Sequence, residues 1–300
     1  MKRKIIKQAN KSYTLTLPIS WIRDNNLNEK SEVDLDIIGK SLIVKTDKIP
    51  SGKSSEINAN FLGETNTIRH IEALYSLGID DVKIISKKDI SSRIIKSLNQ
   101  MVGFALIGKE NDIYHIKDIS GGKESDLEEI FKRVFQVVLL FYQSAIEGIF
   151  GKTKETRDDL DKRDNEINKL CLYLQRAINK SSYNNIEKGR VLFTYSFALE
   201  EIADEIHRLW RIVVEDKLRL NKEIKELCDL SLNCLEKSFD MNYQFNSGKI
   251  EEIYKTRNEL RKKISKTKIT NSRINLFLTR VLKITESSCD LTHLTLMMKL

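Results

Sequence analysis

No proline follows Pro50, so residues 51–300 lack the one residue that cannot sit inside a helix. Most of that stretch uses the freedom in one way. Leu127, Ile130, Val134, Val138, Phe141 and Ala145 recur at helical spacing, behind Ser125-x-x-Glu128, which reads as a capping box. Breaks near residues 148–151, 181–185, 216, 248 and 266–270 divide residues 121–300 into about six amphipathic helices. Such helices, joined by short connections, pack as a bundle.

The sequence up to the second proline is of another kind. Tyr13, Leu15 and Leu17 alternate with Thr14 and Thr16, and Val33, Leu35 and Ile37 alternate with Asp34 and Asp36. A turn at Gly39-Lys40 then leads into Leu42-Ile43-Val44, and residues 18–27 read as one short helix. So few apolar positions make a poor core for one copy, and a homodimer that shares strands would supply what is missing. Residues 49–61, rich in Ser, Lys and Asn, read as a linker. After it comes a small α/β module, with a helical stripe Ile68, Ile71, Leu74 and Leu77 ended by Gly78 and a strand Val82-Lys83-Ile84-Ile85. A second helix through Ile94, Leu98 and Met101 and a hairpin at 104–107 and 113–116 complete it.

The expected fold is therefore α+β and multidomain. It comprises a β-rich dimerising head at 1–48, linker and connector at 49–120, and an all-α region at 121–300. With 40% hydrophobic and 31% charged residues the chain is expected to be globular. The longest apolar run, Val137-Val138-Leu139-Leu140-Phe141-Tyr142, is far short of the roughly 18 residues of a membrane span. The basic start, Met1-Lys2-Arg3-Lys4, leads into alternation rather than the apolar block of a signal peptide, so a cytoplasmic protein without membrane insertion is expected. Cys171, Cys228, Cys234 and Cys289 show no C-x-x-C spacing and read as buried free thiols.

Two constellations could carry chemistry. Glu200-x3-Asp204-x2-His207 recurs as Glu286-x3-Asp290-x2-His293, each time late in the last helix of a three-helix group, which divides the helical region into repeats at about 121–215 and 216–300. Spacings of four and three put each trio on one helix face. Asp164 and Asn168, with Asp161 one turn before, can face the first trio from a neighbouring helix. Oxygen donors on two facing helices suit a hard or intermediate cation. The alternative is a solvated face paired with Arg157, Arg163, Arg208 or Arg211. In the second group, register by Leu260 and Ile264 brings Arg257 and Arg261 to the matching place, where they would pair with Glu286 and Asp290 and displace a metal. The other constellation is the head's charge: Lys2, Arg3, Lys4, Lys7, Lys11 and Arg23, doubled in a dimer, can line a surface for double-stranded DNA. A basic edge that only keeps strands soluble is the alternative. No motif of an enzyme is present, and the acidic motifs carry no nucleophile or general base at recognisable spacing, so a metal-dependent hydrolase is the least supported class.

Residues 3–45 resemble the AbrB/SpoVT swapped-hairpin DNA-binding domain in the form fused to archaeal PhoU-like proteins. The carrying residues are Arg3-Lys4-Ile5, Lys11-Ser12, Leu15-Thr16-Leu17-Pro18-x-x-Trp21, Asn25-Asn26-Leu27, Glu32-Val33 and Leu42-Ile43-Val44. Asn26 and Lys30 stand where that family usually has glycine. Residues 124–300 resemble PhoU, through Asp164-Asn165-Glu166-Ile167-Asn168, Leu199-Glu200-Glu201-Ile202-Ala203-Asp204 and Glu286 to Asp290. The resemblance implies a dimeric swapped-hairpin barrel followed by a bundle of two three-helix repeats. It implies divalent or iron-type metal ions held by Asp164, Asn168, Glu200, Asp204, Glu286 and Asp290, with His207 and Asp161 as possible further ligands. The function it implies is DNA-binding transcriptional regulation of phosphate uptake or homeostasis. The alternative is a PhoU-type accessory protein that binds a phosphate transporter or a sensor kinase, its head serving only for dimerisation.

Overall fold

The computed structural model describes residues 2–8, 12–38, 40–46, 53–120, 126–151, 156–180, 186–267 and 271–300. The chain divides into two compact units, Met1–Lys53 and Ser54–Leu300.

In the first unit, β1 (Ile5–Gln8) and β2 (Ser12–Leu15) form one antiparallel hairpin, and β3 (Asp34–Ile38) and β4 (Ser41–Lys45) form another. Helix α1 (Ile19–Asp24) lies between them in sequence, with Pro18 at its N-cap, where a missing N–H is harmless. Asn26 takes the left-handed conformation (φ 50°) that asparagine accepts more readily than most residues. The following turn does without glycine at Lys30, because the Asn28 side chain accepts from the Lys30 amide at 3.0 Å and the Ser31 hydroxyl accepts from the Asn28 amide at 3.0 Å. The two hairpins remain two separate two-stranded sheets, and among the described residues one chain closes no barrel. Gly39, read as part of the hairpin turn, lies outside the described residues.

The second unit starts earlier than the composition suggests. Ser54–Asn58, read as linker, is strand β5, and it pairs in parallel with β6 (Asp81–Ile85). Its polar residues belong to an edge strand that buries only Ile57. The sheet runs β5-β6-β8-β7, with β7 (Phe104–Glu110) and β8 (Ile113–Asp118) as the expected hairpin. Helices α2 (Glu64–Ser76) and α3 (Ser91–Leu98) cover one face, where Ile71, Tyr75, Val82, Ile84, Ile94, Tyr114 and Ile116 form the core. Gly78, at φ 80°, ends α2 in the left-handed conformation that frees the chain to turn.

Among the described residues six helices follow: α4 (Leu127–Ile149), α5 (Arg157–Lys180), α6 (Ile186–Glu215), α7 (Lys222–Tyr243), α8 (Gly248–Lys266) and α9 (Ser272–Lys299). Asp126 caps α4 by accepting from the Glu128 and Glu129 amides, a seat one residue beyond the expected Ser125, which lies outside the described residues. α4, α5 and α6 pack on one another, as do α7, α8 and α9, and the two groups meet chiefly along α6 and α9. At that junction the Tyr195 hydroxyl donates to the Leu291 carbonyl at 2.9 Å.

The α/β module is docked along α5. Arg176, 2% exposed, donates to the Tyr75 and Ile79 carbonyls at 2.9 and 2.6 Å and to Asp80 and Asp118 at 2.7 and 2.6 Å. Its guanidinium lies 4.8 Å from the ring centroids of both Tyr75 and Phe104. Burial pushes the Asp118 carboxyl up, but hydrogen bonds from Ser120, Arg176 and Lys180 more than reverse that, so it is held well below the usual carboxylate range.

Candidate functional site

The acidic candidates come together on the seam between α5 and α6. Buried Ile167 and Leu199, Ile202, Ala203 and Ile206 seat the two helices, and this leaves Asp161, Asp164, Asn168, Glu200, Asp204 and His207 half-buried along one line. His207 Nε2 lies 2.7 Å from Asp161 Oδ1, and Arg208 pairs with Asp204. Asn168 Nδ2 donates to Asp164 Oδ2 at 3.4 Å, while Asp164 Oδ1 and Asn168 Oδ1 are buried without a hydrogen-bond partner.

The electrostatics follow from this crowding. Burial raises the Asp164 pKa. The His207 charge opposes that rise, and the Asp204 and Asp161 charges add to it. Burial raises Glu200 as well, with Asp204 adding and Arg69 from α2 opposing. The α/β module thus borders the seam, and Gln100, just beyond α3, donates to Asn165 on α5 at 2.5 Å.

Oxygen donors with one imidazole suit a hard or intermediate divalent cation, and two orphaned buried oxygens are what such an ion would satisfy. The donor chemistry of the first group therefore fits a metal, with Asp164, Asn168, Glu200 and Asp204 as ligands. Among the described residues, however, no group of three or more His, Cys, Asp or Glu stands ready arranged around one point. Coordination would require Asp204 to leave Arg208.

The second group does not fit. Counted from buried Leu260 as from buried Ile167, Arg257 falls where Asp164 does and Arg261 where Asn168 does. Arg261 Nε lies 2.5 Å from Glu286 Oε1, and Arg257 Nη1 lies 3.7 Å from Oε2. Arg257 also stacks 4.4 Å from the Tyr254 ring centroid. Asp290 and His293 are exposed. Two guanidinium groups already serve Glu286, the pairing that the register of Arg257 and Arg261 leads one to expect.

In the head, Lys2, Arg3, Lys4, Lys7 and Arg23 are exposed, and Lys11 lies outside the described residues. No residue of Lys2–Thr46 whose exposure is described is buried. Pairing of Leu35 with Val44 and of Ile37 with Leu42 puts four apolar side chains on one face of the second hairpin, with Leu35 60% and Ile37 80% exposed. Ile5 and Leu15 pair likewise on the first, and both are exposed.

Sequence reasoning missed two buried charges. Glu205, 1% exposed, receives Arg208, Arg280 and Lys283 at 2.7, 2.7 and 3.0 Å, and so ties α6 to α9. Arg176 is the other. Each sits where the helical stripe calls for an apolar residue, and that mismatch was the available signal. Compared with known proteins, the chain matches no family model, no curated protein and no solved structure.

Proposed function

We propose that the chain is a cytoplasmic, homodimeric, DNA-binding transcriptional regulator of phosphate uptake or homeostasis whose helical region responds to a divalent or iron-type cation. The observation that carries the proposal is the head: two hairpins with apolar faces, no buried described residue, and a surrounding set of exposed cations. Burying a Val, Ile or Leu side chain contributes about 1.5–3 kcal/mol, so covering Leu35, Ile37, Leu42 and Val44 of each copy would favour association of two heads against the entropic cost of association. A dimer doubles Lys2, Arg3, Lys4, Lys7 and Arg23 on one assembly, and each phosphate they neutralise steepens the salt dependence. The phosphate link rests on the resemblance of the helical region to PhoU. The acidic seam supplies the donor chemistry for the cation, through Asp164, Asn168, Glu200 and Asp204. Among the described residues no helix is long and apolar enough to cross a membrane.

The test is fluorescence anisotropy with DNA from upstream of phosphate-transport genes, against a scrambled duplex and across a salt series. Preference for the native duplex, with affinity falling steeply as salt rises, is the expected result. Ile37→Asp should abolish both head pairing, read by sedimentation, and DNA binding. Dimers that bind both duplexes weakly and equally would overturn the regulator and point to an accessory protein that acts on a transporter or kinase.

A further inference from the structure

The head is not the only basic part of the chain. Residues 255–273 hold eight Lys and Arg against one acid, Glu259, in a chain whose formal net charge is +8. Most of these cations belong to α8, and the structure sorts them by what already occupies them. Arg257 and Arg261 serve Glu286, Lys263 lies 3.1 Å from Glu259, and Arg273 lies 3.4 Å from Asp216. Among the described residues Lys255, Lys262 and Lys266 form no ion pair, and all three are exposed. Intervals of seven and four residues set them on one line of α8, opposite buried Ile253 and Leu260 and about 16 Å long. The helix dipole accounts for Lys266, which lies in the last turn, but its effect has faded at Lys262 and Lys255.

We propose that Lys255, Lys262 and Lys266 form a second contact for duplex DNA, made to its phosphate backbone without regard to sequence. The proposal rests on the reading of the chain as a DNA-binding regulator and adds a site that lies outside the head. Duplex DNA carries a negative charge about every 1.7 Å along its axis, so a straight line of ammonium groups finds a phosphate for each. Lysine suits this task, because it meets a phosphate as a point charge and imposes no planar geometry on it.

What the face of α8 lacks narrows the choice of polyanion. A helix that lies on a membrane needs an apolar face, and α8 exposes no large apolar side chain among the described residues. Binding of a single strand needs aromatic platforms on which bases stack. The one aromatic residue of α8, Tyr254, is covered by the Arg257 guanidinium, 4.4 Å from its ring centroid. A surface that offers charge alone suits a ligand that presents phosphates alone, which is the outside of a duplex. The contribution is therefore to affinity and its salt dependence, whereas any choice between sequences has to be made elsewhere.

The experiment acetylates the full chain briefly with an N-hydroxysuccinimide ester, with and without a scrambled duplex, and maps the modified lysines by mass spectrometry. DNA should slow acetylation of Lys255, Lys262 and Lys266 several-fold. Lys83, Lys87 and Lys88, exposed on the α/β module, should react as they do in the free protein. Replacing Lys255, Lys262 and Lys266 together by alanine should lower the slope of log affinity against log salt by about 3, equally on the native and the scrambled duplex. The same replacement at Lys83, Lys87 and Lys88 removes as much charge and should leave the slope unchanged. If a triple variant fails to fold, the wild-type acetylation map decides alone. Equal slope changes in the two triple variants would reduce the effect to net charge and overturn the proposal. Unchanged acetylation of the α8 lysines, with binding still lost in a joint Arg3→Ala, Lys4→Ala and Lys7→Ala variant, would overturn it and leave the head reading in place. A wild type that binds neither duplex would overturn both.

Discussion

In the first three-helix group Asp164 and Asn168 each keep an oxygen buried without a hydrogen-bond partner, whereas in the second Glu286 receives two guanidinium groups from α8. Both groups carry the same Glu-x3-Asp-x2-His spacing. The spacing decides only that the three side chains share a face. What the face does is decided by the helix opposite, which offers Asp164 and Asn168 in one case and Arg257 and Arg261 in the other. An arginine keeps its charge, so Glu286 stays paired within the chain, whereas in the first seam Arg208 serves Asp204 and leaves Asp164 and Asn168 each with an oxygen that has no hydrogen-bond partner.

The strongest way to break this comparison is to cut the link between the groups. Glu205→Ala leaves Arg208, Arg280 and Lys283 crowded at the α6–α9 junction without their shared carboxylate, and it should cost about 4 kcal/mol, read as a fall in Cm at unchanged m value in urea. Next in size is the cation itself. Mn²⁺ at about a hundredfold excess over its Kd should stabilise the wild type by about 3 kcal/mol in thermal unfolding. Asp204→Ala should lose that gain and Glu286→Ala should keep it; the reverse result would exchange the roles of the two groups. Arg261→Ala should cost only about 1 kcal/mol, because the pair is partly exposed, and it should give the second seam its first measurable response to Mn²⁺.

The smallest effect concerns pH. The Asp164 and Glu200 carboxyls titrate above their ordinary values, so folding takes up protons on them. Their contribution to stability is therefore most favourable below the usual carboxylate range and declines as pH climbs through the raised values. Asp164→Asn should remove part of that decline and stabilise the apo protein at neutral pH by about 0.5 kcal/mol, checked by urea titrations across pH. A pH profile identical to that of the wild type would show that the seam is already relaxed by solvent.

What could be read in advance divides along physical lines. The six helices were legible because their breaks coincide with lost periodicity, and the connector hairpin because 104–107 and 113–116 are apolar and short. The pairing of Arg257 and Arg261 with Glu286 followed from register alone. Ser54–Asn58 was not legible as a strand, because an edge strand with one buried side chain has the composition of a linker. Glu205 and Arg176 were missed because a charge in an apolar stripe signals a partner without saying which. All but Arg208 of those partners come from other elements, up to 101 residues away for Arg176.

That separation bears on how the chain reaches its native state. Arg176 lies on the face of α5 that meets the α/β module, and every oxygen that satisfies it belongs to residues 54–120. Helices α4 to α6 can pair by local contacts at low entropic cost, but Arg176 meets its acceptors only when the module closes on α5. Closure of the module on α5 should accordingly be a distinct, late kinetic step, slowed when Asp118 or Asp80 is removed. A chain beginning at α4 would carry that cation without its acceptors and should leave the first group more prone to local opening, so the α/β module serves as a clamp on the helices that follow it.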